Sequence, residues 1–198
     1  MPNPLKSIVV AMSIGLLASS CQTSVPTEKQ PELTFSHLTP LEVNVASVEI
    51  KNAYKATPGV KHVEDRFPTS PAKALARWLA DRIKPVGGPN SGKLRLVITD
   101  ASIIETALKQ DKSIKGTFTN QQTHSYDMVV GARAEILGYN GAERAYSTAK
   151  AMRTFTTPGN LSLNEREKIW FDATEKLMAG FNEEMEANMR QYLSSYLK

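Results

Sequence analysis

The residues most able to do chemistry in this chain are its histidines, its acidic pairs and one glycine-rich run. His37, His62 and His124 are far apart, and none stands in a metal-binding spacing such as H-E-x-x-H. They read as exposed loop histidines. The run Gly87-Gly88-Pro89-Asn90-Ser91-Gly92-Lys93-Leu94 nearly matches the phosphate-cradling loop G-x-x-x-x-G-K-[S/T]. That loop needs a strand before it and a helix after it, so that backbone N–H groups face the phosphates. Here a helical pattern precedes and a strand pattern follows, and Leu94 replaces the magnesium-binding hydroxyl. It reads as a connector, with no nucleotide site. Asp100 and Glu105 fall in one predicted strand at odd separation, hence on opposite faces, a poor arrangement for paired acid/base work. With no G-x-S-x-G elbow either, no catalytic constellation, metal site or cofactor site emerges. The chain is expected not to be an enzyme.

The single cysteine, Cys21, cannot form an intramolecular disulfide or a multi-cysteine metal site. Its position explains it better. Met1 to Lys6 is a short head with one positive charge, Ile8 to Ala18 is an unbroken run of apolar and small residues, and Ser19-Ser20-Cys21 follow. A basic head, a short apolar middle and small residues before a cut are the three parts of an export signal. The apolar run is too short for a permanent span, which takes about 20 residues.

The segment Leu17-Ala18-Ser19-Ser20-Cys21 resembles the lipobox of bacterial lipoproteins. That family most often has Leu three places before the cysteine; here Ala18 holds that place and Leu17 precedes it. The resemblance implies removal of residues 1–20, a diacylglycerol on the Cys21 sulfur and acylation of the new amino group. Each buried methylene contributes about 0.8 kcal/mol, and a single chain holds only marginally, so two or three chains make the anchor lasting. Gln22, where Asp would favour inner-membrane retention in the enterobacterial rule, resembles the outer-membrane pattern. The protein is expected at the periplasmic face of the outer membrane, with the inner membrane the alternative.

Composition sets the outer bounds. Of 198 residues, 41% are hydrophobic and 22% charged, enough for one domain with a real core. The net charge of +4 comes from Lys and Arg scattered along the whole chain, without the clustered basic residues and aromatic platforms of a nucleic-acid binder. Residues 21–36 are expected as a lipidated tether, since 22–34 are polar, carry Pro26 and Pro31, and show no periodicity. A flexible segment of that length spans roughly 20 Å. Residues 37–198 are expected as a single domain.

Within it, Leu41, Val43 and Val45 alternate, then Val48 and Ile50 continue in the opposite phase, predicting one strand bulged near Ala46-Ser47. Ser70-Pro71 reads as an N-cap with proline at the first helical position, opening a helix with Leu75, Trp78, Leu79 and Ile83 on one stripe and an end near Lys84. Lys93 to Leu108 reads as a strand, and Lys109 to Gly116 as a polar stretch. A long strand from about Thr117 follows, clearest where Tyr126, Met128, Val130, Ala132, Ala134 and Ile136 alternate with polar residues. Asn140-Gly141 predicts a type I′ hairpin into a strand at Arg144 to Phe155. Asn164 and Glu167 resemble a capping box for a helix running toward Tyr196. At 1.5 Å per residue that helix is about 45 Å long, so its far end needs a partner or a second contact.

The order β-α-β-β-β-α predicts an α+β fold, an antiparallel sheet of about four strands with two helices on one face. Behind a lipobox, this layout resembles small envelope lipoproteins that assist lipid transport or outer-membrane assembly, among them auxiliary lipoproteins of ABC-type transporters and the lipopolysaccharide-assembly lipoprotein. The resemblance implies a membrane-anchored adaptor or accessory subunit with an envelope protein partner, bound through a sheet edge or the long helix. The alternative is a lipid-binding or lipid-shuttling module with a cavity between sheet and helices. Lys109, Lys112 and Lys115, near a predicted hairpin tip, either meet anionic headgroups or an acidic partner, or keep the tip soluble. Met178, Met185 and Met189 read as core filler or, on an uncovered helix, as a partner surface.

Overall fold

The computed structural model describes residues 31–110 and 121–198. The fold is α+β, with two α-helices and seven strands in two sheets among the described residues. The strands are β1 (Leu41–Val43), β2 (Ser47–Asn52), β3 (Ile83–Pro85), β4 (Lys93–Asp100), β5 (Ile103–Ala107), β6 (Gln122–Leu137) and β7 (Glu143–Pro158). The helices are α1 (Pro71–Arg82) and α2 (Leu163–Tyr192).

Strand β6 is the spine of the larger sheet. On one side it pairs with β4 through Gly131–Leu137 and with β5 through His124–Met128; on the other it pairs with β7 along nearly its whole length. These pairings are antiparallel, as expected, but β2 joins the far side of β4 in parallel, and β1 pairs with β3 in parallel as a separate two-stranded sheet. Both parallel pairs arise where the chain runs through α1 before returning beside its own earlier strand. That is the only connection long enough to bring a strand back in the same direction.

Two strands expected as single pieces are each divided. Between β1 and β2 the chain breaks rather than bulges: Asn44 donates to the Tyr196 carbonyl at 2.7 Å and Ala46 to the Gly92 carbonyl at 2.9 Å. These bonds carry it from the small sheet to the large one. Between β4 and β5, Asp100 Oδ1 accepts from the N–H and hydroxyl of Ser102 at 3.1 and 2.8 Å, a local bond that ends the ladder. The hairpin between β6 and β7 also differs from a type I′ turn, because only Gly141 has positive φ, at 79°. Gly141 N–H closes onto the Gly138 carbonyl and Gly138 N–H onto the Ala142 carbonyl, so the turn is followed by one left-handed glycine and a register slip in the ladder.

Helix α1 begins as expected, with Lys73 N–H donating to Ser70 Oγ and Pro71 at the first position. It ends directly into β3 at Ile83, with no intervening loop. The α2 cap lies two residues earlier than Asn164: Glu165 N–H donates to Ser162 Oγ at 3.3 Å and Ser162 N–H to Glu165 Oε2 at 2.8 Å. A serine with its partner Glu three places on supplies the same reciprocal bonds that Asn164 and Glu167 promised. At the far end Leu193 is fully buried, Leu197 bridges to Val43, and Lys198 N–H reaches the Glu42 carbonyl. The second contact that so long a helix requires is therefore the chain's own β1.

Leu94, Leu96 and Ile98 of β4 and the alternating row from Tyr126 to Ile136 of β6 all face the helices and are buried. Against them pack Trp78 and Phe181, edge to face at 5.4 Å, with Leu75, Leu177 and Met185. The space in which a lipid cavity would lie, between sheet and helices, is filled by these side chains. The tether also gives up its end to the core. Leu33 and Phe35, placed in residues 21–36 by their polar neighbours, are buried, and Asp81 of α1 accepts from Thr34 Oγ1 and Phe35 N–H at 2.9 and 2.8 Å. Two apolar residues among polar ones were too few to show a period.

Candidate interaction surface

Of the sequence-predicted positions, Cys21, Lys112 and Lys115 lie outside the described residues, as does the signal segment. Lys109 is exposed, just past β5 and beside the strand end where Leu108 N–H donates to the Thr123 carbonyl. Met178, Met185 and Met189 are fully buried, hence core rather than surface. The Gly88–Gly92 connector makes a tight turn closed by Ser91 N–H on the Gly88 carbonyl, and a Cβ on Gly92 would sit 1.9 Å from the Leu137 carbonyl oxygen. It packs against the β6 end, and the chain enters β4, not a helix. Among the described residues no group of three or more His, Cys, Asp or Glu is placed to hold a metal ion, and no helix is long and apolar enough to cross a membrane.

The densest polar cluster is one that the sequence does not announce. Glu105, on the inward face of β5 with its side chain 4% exposed, pairs with Lys61, with Arg66 Nη1 at 3.2 Å, and accepts from the Tyr126 hydroxyl at 2.9 Å. His124 Nε2 stands 3.9 Å away. Next to it, Tyr54 donates to Glu64 at 2.9 Å, and Glu64 also accepts from Ile103 N–H. Burial pushes the Glu105 carboxyl up, but the hydrogen bonds from Lys61 and Tyr126 and the charges of Lys61 and Arg66 outweigh it, so the group stays below the ordinary carboxylate range. Burial and the neighbouring Glu105 carboxylate raise the Tyr126 phenol, and burial with Glu64 raises Tyr54. The cluster clamps the loop of residues 61–66 to the sheet. Lys61 and Arg66 are remote in sequence from Glu105, so the only cue was a carboxylate at an inward strand position.

The open face of the sheet is a lattice of charge. Glu49 of β2 pairs with Lys93 and Arg95 of β4, Arg95 with Glu135 of β6, and Arg133 with both Glu135 and Glu143. The Arg133 guanidinium lies over the Tyr146 ring, 3.4 Å from its centroid. Such cross-strand pairs at an exposed face contribute little each. What they do is neutralise the central strands of this face.

Beyond β6 the pattern changes. β7 has 16 residues, and among the described residues no strand pairs with its outer edge. A groove of about 620 Å³ runs between residues 143–148 of this strand and Tyr192 of α2. Tyr146 is 50% exposed, Tyr192 60% and Met152 73%, three large side chains bordering one edge. A second cavity, about 400 Å³, lies between residues 33–38 and residues 175–183 of α2, where the N-terminal segment meets the helix.

Compared with known proteins, the chain matches no family model. No curated protein matches it either. Among solved structures, a minor lipoprotein from Acinetobacter baumannii is similar at 8% identity and a TM-score of 0.33, over 74% of this chain and 94% of that one. At that TM-score nothing is carried over from it to this chain.

Proposed function

We propose that this chain is a lipid-anchored accessory protein of the bacterial envelope, an adaptor that works by binding rather than by catalysis. The observation that carries the reading is the sole cysteine, Cys21, set directly behind a basic head, a short apolar run and Ser19-Ser20. The fold supports it from the other side. Among the described residues the first that is buried is Leu33, and a stretch as long as residues 22–32 reaches roughly 20 Å as a random coil and at most roughly 40 Å fully extended. The domain would thus sit close to the leaflet, by preference the periplasmic leaflet of the outer membrane, with its sheet face and β7 edge turned to neighbours. The space between sheet and helices is filled by core side chains, which supports binding at the surface over lipid carriage in a cavity.

The test is metabolic labelling of cells with an alkyne fatty acid, followed by fractionation. The unaltered protein is expected to carry label and pellet with membranes, and Cys21→Ser to lose both. A labelled serine variant, or an unlabelled native protein in the soluble fraction, contradicts the reading.

A further inference from the structure

We propose that the outer edge of β7, from Arg144 to Met152, is a strand-addition site for an extended acidic segment of a partner protein. The proposal rests on the adaptor reading and names its binding site. Proteins normally blunt an edge strand with prolines, bulges, charged side chains such as Lys, short length or a covering element, and of these β7 carries charge at Arg144 and Lys150. This strand is long, its proline comes at its last residue, and the two register slips in its pairing with β6 lie at its two ends.

The backbone direction follows from one bond. In a strand the N–H and C=O of a residue point to the same side and alternate along the chain. Asn188 Nδ2 of α2 donates to the Thr148 carbonyl at 2.9 Å, from outside the sheet. Tyr146, Lys150 and Met152 therefore turn their N–H and C=O outward as well, and these are the groups an added strand would take. Asn188 occupies the Thr148 carbonyl as a side chain that such a strand can displace.

Charge selects the kind of strand. On this face Glu143 is taken by Arg133, whereas Arg144 and Lys150 make no ion pair among the described residues. Glu184, one helical turn before Asn188, forms none with Lys150. The unspent charge on the strand itself is positive, interrupted by the Tyr146 ring and followed by Met152, with Tyr192 across the groove and the Glu184 carboxylate on the neighbouring helix. A matching segment carries acidic residues spaced as Arg144 and Lys150 are, with apolar or β-branched residues between. A second copy of β7 fits poorly, since antiparallel pairing centred on this region sets the same two cations against each other.

The experiment uses the lipidated full chain in detergent and a blocked synthetic peptide of alternating Val and Thr, with two Glu at the Arg144–Lys150 spacing. Amide hydrogen exchange is followed at Tyr146, Lys150 and Met152. The acidic peptide is expected to slow these amides about tenfold or more; the peptide N-methylated on its strand-facing amides is expected to have no effect; and a peptide with Lys in place of Glu is expected to bind at least about tenfold more weakly. In the R144E/K150E double variant, both positions being exposed, the preference is expected to reverse. The proposal is overturned if the acidic peptide gives no protection at millimolar concentration, if N-methylation changes nothing, or if the double variant keeps the same preference. It is also overturned if the edge is already protected without peptide, whether by the chain itself or, with a doubled mass, by a second copy. None of these outcomes touches the fatty-acid label, so failure here leaves the anchoring test separate.

Discussion

Arg82 shows how much of this fold can rest on one side chain. It is 1% exposed on the last turn of α1, and its guanidinium donates to Asn182 Oδ1 at 2.9 Å, to the Thr39 carbonyl and to Glu186 of α2. Asn182 Oδ1 also accepts from Trp78 Nε1 at 2.9 Å, so one amide joins both helices. Removing one member of a buried charged network leaves the rest unpaired, and Arg82→Ala is expected to cost about 3–5 kcal/mol in urea unfolding. A cost under about 1 kcal/mol would show that the network is not what holds α1 to α2. Glu105 sets a second residue-scale expectation. Its folded pKa lies below the ordinary 4.5, so the folded state binds fewer protons than the unfolded state as pH falls. The stability it contributes is full above about pH 4.5 and is lost as pH drops through the folded value. Urea midpoints between pH 7 and pH 3 are expected to fall less steeply for Glu105→Gln than for the native protein; equal slopes would contradict the assignment.

Elements that follow a period were legible in the chain. The inward row of β6 and Leu75, Trp78 and Leu79 of α1 appear where their spacing placed them, because burial of one face fixes the pattern residue by residue, whereas Ile83, expected on the same helical stripe, opens β3. What was not legible depends on bonds between distant residues. The breaks at Asn44–Ala46 and Asp100–Ser102 show in the chain only as a change of phase in the alternation, which a bulge would give as well as a move to a new neighbour, and the segment of Leu33 and Phe35 is held by Asp81 through Thr34 and the Phe35 N–H. The parallel addition of β2 to β4 has no local cue at all. The expectation of a partner at a sheet edge or on the long helix named no strand. Glycines at element ends give a direct check. Gly141→Ala faces open space and is expected to cost only left-handed strain, about 1–2 kcal/mol. Gly92→Ala, with the same sign of φ, also drives its methyl into the Leu137 carbonyl, and is expected to lower the melting temperature much further. Equal losses for the two would mean that the connector moves freely against β6. Ser162→Ala, which removes half of the α2 capping box, is expected to cost about 1 kcal/mol.

At the scale of the whole molecule, one face of the sheet is spent on the helices, the central strands of the other are neutralised by ion pairs, and among the described residues no strand pairs with the outer edge of β7. The N-terminal segment enters along α1 and α2, fixed by Leu33, Phe35 and the Glu32–Arg77 pair. In the proposed role, residues 22–32 link Cys21 to this domain. All of this presumes a processed and acylated N-terminus. The most direct measurement is the intact mass of the N-terminal peptide from protein purified out of its own membranes. The expected peptide begins at Cys21 and carries a thioether-linked diacylglycerol, with or without an amide-linked acyl chain. A peptide that begins elsewhere, or a Cys21 thiol found free, would contradict it.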